Sequence, residues 1–392
     1  MEKNKKSSTY RTAVQGEISR LNEFNYNDLN QIRSKYNECL KDSRQLQKII
    51  LRGLNRPEIN SLNKTIVAVD GSNYVEEYNS IVISLALAYI YTSDGYTERF
   101  LPEISIVPPY YSTLVNSIIM KTLEYQIVID LLEDPEFDKP DLILFDGPLS
   151  FPDEAINQSI SEGKEIVTKF YNQYNSTANE LFNIIKERNI PTIGLVKDSM
   201  SNKYLSSFIN HLKINFENIE NKKLKNHLMS KKDSLQECLN KWDKKGKFSM
   251  ISESVMMKYL FQPDKIFNRT VAIPLAKDFG LRAEVPIDNI KYGNLLGFYI
   301  NILPTYKAFF IEMPAYFKDM MEKILDIFSA ICFFSLKPGY PMPLFAAHKK
   351  VELNKRRSRN KLRIIKHFVR LRDPKLYDIV FESKFHPEIE KK

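Results

Sequence analysis

The chain has 392 residues, 43% of them hydrophobic, enough for a sizeable core in one large domain or two. Its formal net charge of +9 favours a polyanionic partner, nucleic acid first and an acidic membrane surface second. Cys39, Cys238 and Cys332 lie far apart in no CxxC or zinc spacing, and they read as buried thiols in a reducing cytoplasm.

Met1 to Thr9 is polar and charged, without the apolar core of a signal peptide, and the longest apolar stretches fall short of a membrane span. The chain therefore reads as a cytoplasmic protein without a membrane partner. Residues 10–52 read as a helix, with Leu21, Phe24, Leu29, Ile32, Tyr36, Leu40, Leu46, Ile49 and Leu51 as an interaction stripe. Asn55-Arg56-Pro57 breaks it. A strand runs from 65 to 70 and ends in Asp70-Gly71. Two more, over 81–91 and 96–107, look like a hairpin added to the first.

Residues 111–133 predict a helix, because Leu114, Ile118, Leu123, Ile127, Val128, Leu131 and Leu132 recur at helical spacing. A strand follows at 141–146 and ends in Asp146-Gly147. Pro152-Asp153-Glu154 starts a long helix that runs to about 188. Pro191 to Val196 is another apolar strand, capped by Lys197-Asp198. The order β-β-β-α-β-α-β predicts an α/β chain with an RNase H-like mixed sheet flanked by helices. The Lys-rich stretch 201–260 reads as a solvent-facing helical insertion. Strands resume at 269–274, 294–302 and 309–312. Residues 316–334 look helical, and a last helix begins near Pro343 and carries His348. Three regions result: an N-terminal helical segment over 1–58, a central α/β domain over 59–350 and a basic extension over 351–392.

The residues that can carry chemistry cluster by position. Asp70 and Asp146 each follow an apolar run and precede Gly. Asp-Gly is also ordinary turn chemistry, and either one alone is uninformative. Neighbouring strands would bring the two carboxylates to one sheet edge, where they repel unless a divalent cation lies between them. Glu124 shares its helix face with Met120, Ile127, Val128 and Leu131, the face that should pack on the sheet. A carboxylate there needs a cation, unless it reaches water at the helix margin or meets a Lys. Three such acids suit one or two Mg²⁺ or Mn²⁺ ions. Two ions roughly 3.5–4 Å apart would activate water and stabilise the leaving oxygen in phosphodiester cleavage.

His348 is a candidate ligand or proton donor to the leaving group. Lys197 is placed to neutralise a phosphate at the same sheet edge, and Asp198 beside it to support the metal. His211, His227, His367 and His386 lie in polar or basic surroundings and read as surface residues. Between Lys349 and Arg372 nearly every second residue is Lys or Arg, including Lys355, Arg356, Arg357 and Arg359. A helix of this charge beside an acidic site would steer DNA by its phosphates, although basic tails are also common on solvated surfaces.

In this order the motifs resemble those of the NurA nuclease family. The resemblance rests on Val67-Ala68-Val69-Asp70-Gly71-Ser72, Glu124, Leu144-Phe145-Asp146-Gly147-Pro148-Leu149 and Gly194-Leu195-Val196-Lys197-Asp198-Ser199. Phe310-Ile311-Glu312-Met313-Pro314 and Gly339-Tyr340-Pro341 through Ala347-His348 continue it. It implies an RNase H-like fold and a Mn²⁺- or Mg²⁺-dependent DNA nuclease with endonuclease and 5′-to-3′ exonuclease activity. It also implies a homodimer docked on a HerA-type hexameric ATPase, in DNA end resection or anti-phage defence. Asp70, Glu124, Asp146 and His348 become metal ligands or catalytic residues by the same resemblance. The competing readings are an inactive scaffold that holds DNA or an ATPase ring, and an RNA-directed nuclease of similar fold.

Overall fold

The computed structural model describes residues 47, 50–77, 82–95, 98–107, 112–149, 165–197, 204, 222–230, 257, 260–261, 266–275, 295–303 and 308–381. Its strands are β1 (Leu51–Gly53), β2 (Ile66–Glu77), β3 (Val82–Thr92), β4 (Glu98–Val107), β5 (Leu142–Asp146), β6 (Thr192–Val196), β7 (Asn268–Thr270), β8 (Ile273–Pro274), β9 (Leu295–Asn301) and β10 (Phe309–Pro314). Its helices are α1 (Ser112–Leu132), α2 (Glu165–Glu187), α3 (Lys222–Ser230), α4 (Met321–Phe333), α5 (Met342–Arg372) and α6 (Pro374–Phe381).

One mixed sheet orders the strands β1-β7-β9-β10-β6-β5-β2-β3-β4, with β8 beside β9. The pairs β2–β5 and β5–β6 are parallel, and the other pairings are antiparallel. This is the expected mixed α/β, RNase H-like architecture. The central strands are unbroken apolar runs because both of their faces are covered. Ile66 to Val69, Leu142 to Phe145 and Ile193 are almost completely buried.

Strand alternation assigns the faces. Phe145 meets the ring of Tyr125 on α1 edge-on, with centroids 5.3 Å apart. Val69 pairs with Phe145 in parallel register, so both residues face α1. Asp70 and Asp146, one residue on in each strand, face the opposite side, where α5 packs against β2 and β3. The register thus places the two aspartates on neighbouring strands, on one face.

The structure departs from the sequence expectations in three places. Gln47 and Ile50 are helical, but Leu51 opens β1 instead of closing the 10–52 helix, and it pairs with Thr270. The rest of that helix lies outside the described residues. Asp70 is not at a strand end. β2 runs on to Glu77 because its hairpin with β3 continues to the Glu77–Val82 pair, although its parallel pairing with β5 ends at Val69 and Phe145. The expected strand at 269–274 is two short ones, β7 and β8, and a 3-10 turn over Ala315–Met320 precedes α4. Of the 201–260 insertion the structure describes Tyr204, α3, Met257 and Leu260. Tyr204, Met257 and Leu260 are buried in the core.

Helix α5 runs without a break past residue 350. Its second residue is Pro343, whose missing N–H would be an orphan in the first turn anyway. Further along, Lys366 pairs with Glu76 of β2, which also accepts a hydrogen bond from the Tyr74 hydroxyl at 2.8 Å. Its last turns expose Ile364, Phe368 and Leu371. No helix among the described residues is long and apolar enough to cross a membrane.

Candidate metal centre

The candidate site forms where β2 loses its parallel neighbour. Val69 is the last β2 residue paired with β5, so the next residue, Asp70, stands beside the free end of β5, which carries Asp146. Helix α5 lies over this edge and supplies His348. Asp70, Asp146 and His348 each offer a ligand atom, and these atoms lie within 4.8 Å of one another. Among the described residues this is the cluster of acidic and imidazole groups compact enough to hold a metal ion.

Each member has a positive or hydrogen-bonding partner. His348 Nδ1 lies 2.8 Å from Asp70 Oδ2, and Nε2 lies 3.5 Å from Glu352 Oε1 one turn along α5. Lys197, just past β6, forms an ion pair with Asp146. The Tyr340 hydroxyl lies 3.4 Å from the same Asp146 oxygen. Burial pushes the Asp146 carboxyl up and the Asp70 charge adds to this, while Lys197 and His348 oppose it. His348 is raised from its ordinary 6.5, chiefly by its hydrogen bond to Asp70. Gly147, directly after Asp146, has φ +127°, a conformation that favours glycine, and its N–H donates to Leu195 O at 2.8 Å. That turn carries the chain away from Asp146 without a side chain in the site.

Glu124 approaches from the other face. It is almost completely buried on α1, and Lys121 Nζ donates to its Oε2 at 2.7 Å. A Cβ on Gly71 would lie 2.3 Å from Glu124 Oε1. Only glycine leaves room for this carboxylate to come that close to β2. Burial raises Glu124 to about 7, with Asp70 and Asp146 contributing and Lys121 opposing. It stands outside the 4.8 Å cluster but inside the electrostatic reach of both aspartates. Both sequence alternatives for Glu124 therefore describe part of its surroundings: it meets a Lys, and it is buried behind the cluster.

The structure brings together Asp70, Asp146, His348 and Lys197, with Glu124 behind them. Asp198 lies outside the described residues. Lys355, Arg356, Arg357 and Arg359 fall on α5, beyond His348 and away from its first turn. His367 is exposed, as expected. The sequence reading missed three residues near the site: Lys121, Glu352 and Tyr340 as a partner of Asp146. The spacing Lys121–Glu124, i to i+3 on one helix, was the available signal for the first.

The family model of the NurA domain matches residues 64–353. Among solved structures, the NurA nuclease from Sulfolobus solfataricus is similar at TM-score 0.53 and 14% identity, over 86% of this chain and 94% of that one. Another NurA crystal structure gives TM-score 0.47 and 15% identity, over 88% and 99%. A NurA crystal structure with manganese gives 0.46 and 14%, over 92% and 100%. No curated protein matches the chain.

Proposed function

The chain belongs to the NurA family, and from that premise we propose that it is a metal-dependent nuclease that hydrolyses phosphodiester bonds in DNA. The observation that carries this reading is the grouping of Asp70, Asp146 and His348 within 4.8 Å, with Lys197 on Asp146.

The donor set fits a hard divalent cation. The two carboxylates suit Mn²⁺ or Mg²⁺, and the imidazole is a ligand that Mn²⁺ accepts more readily than Mg²⁺. Asp70, Asp146 and His348 would hold it, with Glu124 completing the negative charge from behind. When bound, such a cation activates water and offsets charge on the reacting phosphate, and a pair of cations would do both at once.

The side chains divide the remaining work. Lys197 exchanges its ion pair with Asp146 for an oxygen of the incoming phosphate. Asp70 orients the His348 ring through Nδ1, and Nε2 would exchange its contact with Glu352 for the leaving group or a ligand. Tyr340 holds Asp146 in place. Lys121 fixes the Glu124 carboxylate against Gly71, so its charge stays aimed at the cluster. The proposal extends to endonuclease and 5′-to-3′ exonuclease cutting, and to a homodimer that works with a HerA-type hexameric ATPase in end processing or anti-phage defence. Family membership supports that extension.

Purified protein incubated with end-labelled single- and double-stranded DNA and RNA, with Mn²⁺, Mg²⁺ or EDTA, tests the reading. DNA should be cut with either metal and not with EDTA. Asp70→Asn and Asp146→Asn should each abolish cutting with the fold intact by circular dichroism. Cutting by either variant at the wild-type rate removes the metal-site assignment. Cutting of RNA alone, or binding without cutting, replaces the reading with one of its two competitors.

A further inference from the structure

We propose that Tyr340, Lys337 and Phe345 form a track that holds a single nucleic-acid strand next to the reacting phosphate. The proposal rests on the nuclease reading. It adds a binding surface distinct from the basic stretch further along α5.

Cations and rings alternate outward from Asp146. Tyr340 is anchored there, with its hydroxyl 3.4 Å from Asp146 Oδ2. Lys197 Nζ lies 4.9 Å from the centroid of the Tyr340 ring. Lys337 Nζ lies 5.6 Å from the same centroid and 5.9 Å from that of Phe345. Lys349 Nζ lies 5.8 Å from Phe345 on the far side. It also pairs with Glu352 at 3.3 Å, which offsets its charge, so the track does not depend on it.

Lys337 is exposed, and among the described residues no carboxylate pairs with it. Phe345 is half-buried at the α5 surface. The backbone beneath is already ordered. The Gly339 N–H donates to Cys332 O at 2.8 Å, Tyr340 to Lys337 O at 3.0 Å and Lys337 to Ser335 Oγ at 3.2 Å. Gly339 takes φ +88°, which turns the chain back toward Asp146.

This is the chemistry a single strand needs. Phosphates take the ammonium groups, and a base takes the exposed part of the Phe345 ring without regard to sequence, while the buried Tyr340 ring holds Lys197 and Lys337 in place. A duplex would not present its bases to the Phe345 ring. A phosphate that reaches the Asp70–Asp146 edge must have a neighbour on one side, and the fixed cations on that side are Lys197 and then Lys337.

The test is anisotropy of fluorescein-labelled oligothymidylate, titrated in EDTA over a range of salt. Lys337→Ala should bind more weakly, with the slope of log K against log salt flatter by about 0.7, as one fewer single-strand phosphate is neutralised. Lys337→Arg should restore the slope. Phe345→Leu should weaken binding about five-fold or more and reduce the preference for this strand over an abasic one of equal charge. Lys337 is exposed, so its variants do not depend on refolding the core. A wild-type protein that cuts DNA, with Lys337→Ala binding as tightly and as salt-sensitively as it does, overturns the track alone. A wild-type protein that cuts no nucleic acid overturns the nuclease reading beneath it.

Discussion

A carboxyl removed from water favours its neutral form, and Glu124 shows how far a partner can offset that. Lys121 supplies an ion pair and a hydrogen bond, yet burial wins and the group sits at about 7 against an ordinary 4.5. The raised value fixes the sign of a stability effect in the metal-free protein. Between the two values the folded chain keeps a proton that the unfolded chain has released, so stability falls as pH rises through that window and levels off above about 7. The largest possible contribution is about 3 kcal/mol, from 1.36 kcal/mol per pH unit. Glu124→Gln should therefore flatten the dependence of unfolding free energy on pH, followed by urea titration in EDTA from acid to neutral pH. Above about pH 7, where Glu124 is ionised, its absolute stability should drop, because Lys121 loses its charged partner in a buried place. An unchanged slope in the variant would mean that Glu124 does not carry the proton. Asp146 and His348, both raised, act in the same direction, so some slope should remain.

At the scale of elements, the site depends on how closely α1 can approach β2. Gly71 sets that distance: a Cβ there would also meet Met120 Cγ at 2.8 Å. Gly71→Ala should move Glu124 and α1 outward, and a displacement of about 1 Å is enough to cost roughly a hundred-fold in cutting. The fold should survive, since Glu124 is the flexible end of a side chain. Cleavage at the wild-type rate in that variant would separate Glu124 from the chemistry. A second duty is proposed for helix α5 farther along. Replacing Lys355, Arg356, Arg357 and Arg359 with Gln should flatten the salt slope of DNA binding by roughly 0.7 to 0.9 for each phosphate no longer neutralised. A slope equal to wild type would make that stretch a solvated face. Sequence revealed the central strands because residues 66–69, 142–145 and 192–196 are apolar whichever way they face. It concealed the length of β2, since Asp70-Gly71-Ser72-Asn73 has the composition of a turn and only antiparallel pairing with β3 keeps it extended. The strand at Leu51 was hidden for a similar reason, as its partner is Thr270. His348 was a candidate from its place on the last helix, and the family resemblance strengthened it. Nothing local to α5 shows that Asp70 lies 2.8 Å away.

For the whole molecule, the acidic centre is a local exception on a chain of formal net charge +9. Its carboxylates are held by protein side chains: His348 on Asp70, Lys197 on Asp146 and Lys121 on Glu124. A divalent cation entering this centre competes with those partners and with protons. Glu124, Asp146 and His348 all have raised values, so each holds a proton to higher pH than usual and each must release it to become a ligand or a full charge. Metal affinity should therefore rise with pH. Binding to the folded state alone stabilises it by RT ln(1 + [L]/Kd), about 2.7 kcal/mol at a hundred times Kd. The rise in thermal midpoint produced by a fixed Mn²⁺ concentration should accordingly be larger at pH 8 than at pH 6. Asp70→Asn and Asp146→Asn should show little rise at either pH. Metal-free wild type should show the opposite trend, being less stable at the higher pH, because protons leave groups that the fold prefers to keep neutral or, for His348, charged beside Asp70. The two curves should therefore converge as pH falls. Equal Mn²⁺ shifts at both pH values, or a full shift in both aspartate variants, would place the cation somewhere other than this sheet edge.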